Sequence, residues 1–163
     1  AFIKGLEKLQ IIEKNFNYNN FSILGTDVPV CLYGKNSIIE GIGDIISEQV
    51  FPNYYFLLVM PSVNLSTKYM YNKIRDYRKK NPNKFFIDNK NNDFEKVLRL
   101  EYDEIDKLLT FLSNTDYNIF AKMTGSGSCC YAVFKDYEYS KKALLKANLS
   151  FPHCWSFLGN NFV

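Results

Sequence analysis

The 163 residues suffice for one domain of ordinary size, or one small domain with part of another. An apolar content of 47% with 17% aromatic residues excludes a disordered protein and is ample for a packed core. The net charge of only +3, with lysines and acids mixed along the chain, gives no electrostatic case for a nucleic-acid or membrane partner.

The chain opens on AFIKGLEKLQII, where Phe2, Ile3, Leu6 and Leu9 recur at helical spacing with no cap residue before them, so it reads as a helix entered part-way. EKNFNYNNFS follows as an Asn-rich link. ILGTDVPVCLYG, punctuated by Gly25, Pro29 and Gly34, predicts a short helix or turn running into a strand. SIIEGIGDIISEQ alternates and then breaks at Gly41 and Gly43, the pattern of a strand end or bulge. Pro52 and Asn53 mark a boundary.

YYFLLVM at 54–60 is a strand stopped by Pro61, and as the longest apolar run it is far short of the ~20 residues of a membrane helix. No stretch has the layout of a secretory signal. Residues 64–81 predict a helix capped by Ser66, with Tyr69, Met70 and Ile74 turned inward, and 82–91 a polar loop. Residues 91–115 are helical, capped by Asn92 or Asp93. Their buried stripe is Phe94, Val97, Leu98, Ile105, Leu108, Leu109 and Leu112, with a break near Glu101. YNIFAKM and CCYAVF are strands joined by the TGSGS turn, residues 139–147 a helix, and HCWSFLG a last strand. From residue 54 the order is strand, helices, strand, strand, helix, strand: an α+β, two-layer fold with an antiparallel sheet and helices on one face.

Several stretches carry candidate chemistry. Asp27 lies between a flexible Gly25 and a rigid Pro29. A carboxylate fixed this way can take a proton from a substrate hydroxyl in phosphoryl transfer, or it can serve as a turn carboxylate bonding nearby amides. In TGSGS, Gly125 and Gly127 permit positive φ and can bring successive amides to a phosphate, or they form only a loose hairpin turn. KYMYNKIRDYRKK could stack bases and track phosphates, but Tyr69, Met70 and Ile74 are needed inside, which makes it a solvated helix face. The four cysteines lack CxxC spacing and read as free, mostly buried thiols in a reducing cytoplasm, without a metal. His153, alone in the sequence, receives no role.

Together these stretches resemble the 4-diphosphocytidyl-2-C-methyl-D-erythritol kinases of the GHMP small-molecule kinase superfamily. LGTDVPVCLYGKNSIIEGIGDII is similar to LGADVPF-x-L-x-G…EG-x-G-E, with Asp44 where glutamate is usual. PSVNLSTKYMY resembles the substrate-side segment P-x-V-x-x-S/P-T…aromatic. NNDFE resembles N-D-L/F-E, and KMTGSGSC resembles the glycine-rich third motif M-[ST]-G-[ST]-G-[AS]. These four stretches occur in the family's order across residues 24–134.

The resemblance implies that Asp27 accepts the proton of the substrate hydroxyl while the ATP γ-phosphoryl, with Mg expected beside it, moves to that hydroxyl. It implies that Ile42 and Tyr71 pack the cytosine ring, Tyr71 by stacking, with Thr67 beside the diphosphocytidyl part of the substrate. Thr124, Gly125, Ser126 and Gly127 then form the loop at the phosphate site, in one cleft with Asp27. The family's first motif and its phosphate loop, P-x-G-x-G-L-G-[GS]-[GS]-S-[AS], do not occur in these residues. On this reading 1–52 is the tail of the N-terminal ATP-binding domain and 53–163 the C-terminal domain. The chain is then expected to be inactive alone and to leave apolar surface for a missing N-terminal segment. The alternative is a non-catalytic α+β module that binds a ligand or partner. RNA binding ranks last, because the strands lack an RNP-like pattern.

Overall fold

The computed structural model describes residues 2–11, 18–80 and 92–162. The polar loop predicted over 82–91 lies outside them. The chain divides into two compact units, Ala1–Pro52 and Asn53–Phe162.

In the first unit, α1 (Phe2–Lys8) is followed by a 3-10 helix at Tyr18–Leu24, so the described part of the Asn-rich link is regular rather than irregular. Helix α2 (Val28–Tyr33) starts after Asp27 and accepts Pro29 in its first turn, where a missing N–H breaks no intrahelical bond. It ends at Gly34, whose N–H donates to the Val30 carbonyl at 3.0 Å. Strands β1 (Ser37–Glu40) and β2 (Ile45–Glu48) pair antiparallel, Glu40 opposite Ile45 and Ser37 opposite Glu48. Gly41 and Gly43 therefore make a hairpin turn, not a strand end or bulge. Ile38, Ile39 and Ile45 stay exposed on this two-stranded sheet.

The second unit begins with β3 (Tyr55–Met60) and continues through α3 (Thr67–Lys80), α4 (Asp93–Glu101), α5 (Asp103–Ser113), β4 (Asn118–Met123), β5 (Cys130–Phe134), α6 (Tyr137–Ser150) and β6 (Trp155–Asn160). Its sheet is antiparallel throughout, in the order β4-β5-β3-β6. The period of two sends Leu57, Val59, Cys130, Ala132 and Phe134 to one face, where they are buried. Helix α5 covers β4 and β5, α6 covers β3 and β6, α4 packs on α5, and α3 on α4. The predicted stripe supplies their apolar side: Val97, Leu98, Ile105, Leu108, Leu109 and Leu112 are all buried. The break near Glu101 is the extended residue Tyr102 (φ −129°, ψ 96°), which ends α4 and begins α5. Among the described residues, no helix is long and apolar enough to cross a membrane.

The cysteines are free thiols, but they are not mostly buried: Cys130 is, Cys129 and Cys154 are half-buried, and Cys31 is exposed. Its place on the short helix α2 turns Cys31 outward, while Pro29 and Leu32 take that helix's inner side. Burial pushes the Cys130 thiol far above its ordinary range and the Cys154 thiol up to about 11.

Two outcomes follow from this burial. Leu108→Ala, which empties a fully buried site, is expected to lower unfolding free energy by ~2–5 kcal/mol in urea, whereas Leu149→Ala, 83% exposed, changes it by less than ~0.5 kcal/mol. Iodoacetamide at pH 8 is expected to alkylate Cys31 in the native chain and to reach Cys130 only in denaturant, read by peptide mass. Because the folded state holds the Cys130 proton more tightly than the unfolded chain does, its contribution to stability is full below pH ~8.5 and falls as pH rises above that.

Candidate functional site

In the second unit the site is built where β4 turns into β5. The loop has Thr124 N–H donating to the Cys129 carbonyl and Gly127 N–H donating to the Thr124 carbonyl, both at 2.9 Å. Gly125 and Gly127 have φ of +45° and +89°. A Cβ on Gly127 would sit 2.8 Å from both Leu98 Cδ1 and Met123 Sδ, whereas one on Gly125 would meet nothing within 4 Å. The two glycines thus answer different needs: Gly127 admits the core side chains beneath it, and Gly125 leaves the outer surface of the turn open. Among the described residues, the amides of Gly125 and Ser126 donate to no backbone carbonyl.

The loop is held from three sides. Asn92, the N-cap of α4, accepts Phe94 N–H at 3.0 Å and donates from Nδ2 to the Met123 carbonyl at 3.1 Å and the Gly125 carbonyl at 2.8 Å. Glu95 accepts the Met123 N–H at 2.8 Å. From the segment before α3, Ser128 Oγ donates to the Val63 carbonyl at 2.9 Å, and at the first residue of α3 Thr67 Oγ1 lies 3.2 Å from Ser126 Oγ. The structure thus brings Thr67 together with the loop of Thr124, Gly125, Ser126 and Gly127.

Ser66 caps α3 as predicted, accepting Tyr69 N–H at 3.1 Å. Tyr71, one turn along, is 62% exposed, and its ring meets that of Phe94 in a T-shaped contact (centroids 5.1 Å apart, planes at 90°). An open cleft of ≈ 510 Å³ is lined by Asn64, Leu65, Ser66, Tyr69 and Tyr102. Lys73, its Nζ 5.3 Å from the centre of the Tyr69 ring, pairs with Glu101 at 3.0 Å, and this carboxylate raises the pKa of the ammonium. A hydrogen bond with Tyr69 pushes the Tyr102 phenol up.

Asp27 and Ile42 lie in the first unit. Asp27 occupies the N-cap position of α2, yet its carboxylate makes no capping hydrogen bond and is exposed. Ile42 is 69% exposed at the tip of the β1–β2 turn, its N–H donating to Asp44 Oδ1 at 3.1 Å. Asp44 therefore closes the turn in the place where glutamate is usual in the similar family. Gly43, at φ +91°, lies with its backbone directly on the Thr26 carbonyl, where any Cβ would collide. This contact sets the Ile42 turn beside the residue preceding Asp27.

Residues 81–153 match the family model for the GHMP kinase C-terminal domain. The chain is 33% identical over 135 residues to the 4-diphosphocytidyl-2-C-methyl-D-erythritol kinase of Buchnera aphidicola subsp. Schizaphis graminum, covering 80% of this chain and 43% of that relative. It is 34% identical over 126 residues to the enzyme of the same name from Wigglesworthia glossinidia brevipalpis, covering 76% and 40%. This chain carries a GHMP kinase C-terminal domain. It spans less than half the length of these curated relatives. A solved structure titled 4-(cytidine 5'-diphospho)-2C-methyl-D-erythritol kinase superposes with a TM-score of 0.72 at 17% identity, over 96% of this chain and 61% of that one, which shows a shared fold.

Within the GHMP kinase C-terminal domain, the sequence reading missed Asn92 and Glu95 as holders of the glycine loop. Asn followed three residues on by Glu has the spacing of a capping box, in which the Glu carboxylate returns to the cap residue's own N–H. Here Glu95 instead reaches across to Met123. Asn92→Asp keeps a cap acceptor but loses both amide donors and turns a carboxylate toward two carbonyl oxygens. It is expected to lower unfolding free energy by ~1–3 kcal/mol and to speed hydrogen exchange at Thr124 and Gly127, while the first turn of α4 stays protected. Equal exchange in variant and parent would contradict the clamp.

Proposed function

We propose that this chain is the C-terminal portion of an ATP-dependent kinase that phosphorylates an alcohol group of 4-diphosphocytidyl-2-C-methyl-D-erythritol, the substrate named for its relatives, in isoprenoid precursor synthesis. The observation that carries the reading is Asp27: an exposed carboxylate on a backbone pinned by Pro29 and the Gly43 contact, with its oxygens not used to cap the helix behind it. In this reading the substrate hydroxyl oxygen attacks the γ-phosphorus, ADP leaves, and the hydroxyl proton passes to the Asp27 carboxylate.

The other assignments come from the resemblance and agree with each residue's own surroundings. Tyr71 offers an exposed aromatic face for the cytosine ring, and Ile42, in the first unit, an exposed apolar side chain assigned to the same ring. Thr67, hydrogen-bonded to Ser126, lies beside the diphosphocytidyl part. The open backbone at Gly125 and Ser126 suits close approach of a phosphate, since the residues present leave both space and amide donors there. Mg²⁺ would accompany ATP and neutralise phosphate charge; no residue of this chain is assigned to hold it. Residues 1–52 are read as the tail of the N-terminal ATP-binding domain and 53–163 as the C-terminal domain, working in the cytoplasm. Phosphoryl transfer depends on donors aimed at the phosphates, and loss of even one such donor slows a reaction ~10²–10³-fold. The chain therefore requires an N-terminal kinase segment carrying the phosphate loop, for which the exposed Ile38, Ile39 and Ile45 provide apolar surface.

The chain assayed alone with ATP and the cytidyl substrate is expected to yield no product. Co-expressed with an N-terminal segment of a relative, it is expected to phosphorylate the substrate, and Asp27→Asn should reduce that rate at least ~10²-fold without loss of substrate binding. Full activity of the chain by itself would overturn the required segment. A mixture that binds neither ATP nor substrate would overturn the kinase reading in favour of the non-catalytic module.

A further inference from the structure

Away from the residues assigned above, Glu104 in the first turn of α5 meets His153 and Cys154 from the connection between α6 and β6. The imidazole Nε2 is 2.7 Å from Glu104 Oε1, the Cys154 thiol lies 3.8 Å from the same oxygen, and the three atoms lie within 4.8 Å of one another. The connection is fixed at this point: Cys154 N–H donates to the Phe151 carbonyl at 3.0 Å, and Ser62 Oγ donates to the His153 carbonyl at 3.2 Å. Cys154 is half-buried against the core, Glu104 half-buried, and His153 exposed on the outer side.

The geometry points to a three-ligand site for a zinc-class divalent cation formed by Glu104, His153 and Cys154. Tetrahedral zinc with bonds of ~2.0–2.3 Å separates its ligand atoms by about 3.3–3.7 Å. The sulfur–oxygen distance of 3.8 Å needs to close by only a few tenths of an ångström, and the nitrogen–oxygen distance of 2.7 Å to open by about 0.6 Å, which the exposed imidazole can do by a small side-chain rotation. An exposed histidine–carboxylate pair would account for two of the groups, but not for a thiol directed at the same oxygen. One imidazole, one thiolate and one carboxylate form the borderline donor set that zinc accepts, whereas calcium and magnesium take oxygen. A divalent cation here makes the cluster electrically neutral, and three protein ligands leave one tetrahedral position for water.

The test uses the whole chain, freed of metal with a chelator and titrated with Co²⁺ alone. The expected result is one equivalent bound, with a near-ultraviolet thiolate charge-transfer band, tetrahedral visible bands, and displacement by Zn²⁺. Cys154→Ser should abolish the charge-transfer band, while His153→Gln and Glu104→Gln should each weaken binding at least ~10-fold. Cys31→Ser should leave the spectrum unchanged, and Zn²⁺ should raise the Tm of the parent but not of Cys154→Ser. Absence of the band, or its persistence in Cys154→Ser, overturns the site. So does binding that His153→Gln leaves unaltered while circular dichroism shows the variant folded.

Discussion

The Asn92 carboxamide ties the glycine loop to the body of the second unit. A carboxamide is the neutral side chain that offers an acceptor and two donors at once. Here the acceptor closes the start of α4, and the donors fix the carbonyls on either side of Thr124. Val97 and Leu98 on the same helix lie in the core, so the loop's position is set by how α4 packs rather than by the loop's own weak preferences. A segment with two glycines loses more backbone freedom on ordering than most. The bonds from Asn92, Glu95 and Ser128 offset that loss at each end, and Thr67 and Ser126 link the loop to the start of α3.

The α+β order of the second unit was legible because its signals are local. Period-two runs give β3, β4 and β5, a 3.6-residue stripe gives α4 and α5, and Ser66 announces α3 as a cap. Where strands lie in the sheet is not local: that β5 stands between β3 and β4 is decided by pairings across many residues. The first unit was read less well. Gly41 and Gly43 look like interruptions of one strand, because four-residue strands are too short to show their alternation on either side of a turn. Around the candidate site, the Ser66 cap and the glycine turn between β4 and β5 were legible. The Glu95–Met123 bond, spanning 28 positions, and the meeting of Glu104 with His153, spanning 49, were not.

Asp27 differs from the usual aspartate at a helix start. Aspartate before a helix usually takes an amide of the first turn, an interaction typically worth ~1 kcal/mol. Asp27 leaves that bond unmade (φ −86°, ψ −9°), although Pro29 and the Gly43 turn fix the backbone on either side of it. With its backbone held on both sides, the carboxylate is left exposed and uncommitted to the helix start.

The same comparison separates the two glycines of the loop. At Gly127 the reason is internal: Leu98 and Met123 fill the space a side chain would need, and the positive φ lets the chain pass over them. That requirement would hold in any protein with this hairpin and this core, so Gly127 carries no information about a ligand. A Cβ at Gly125 would meet nothing within 4 Å, and the packing of the unit gives no reason to exclude a side chain. Its positive φ belongs to the turn, but asparagine tolerates that conformation and is common in this sequence. What remains to account for glycine at 125 is the outer surface itself, bare backbone beside an exposed threonine, with the carbonyl turned inward to Asn92. The part of the loop least explained by the fold is thus also the part with room for a ligand.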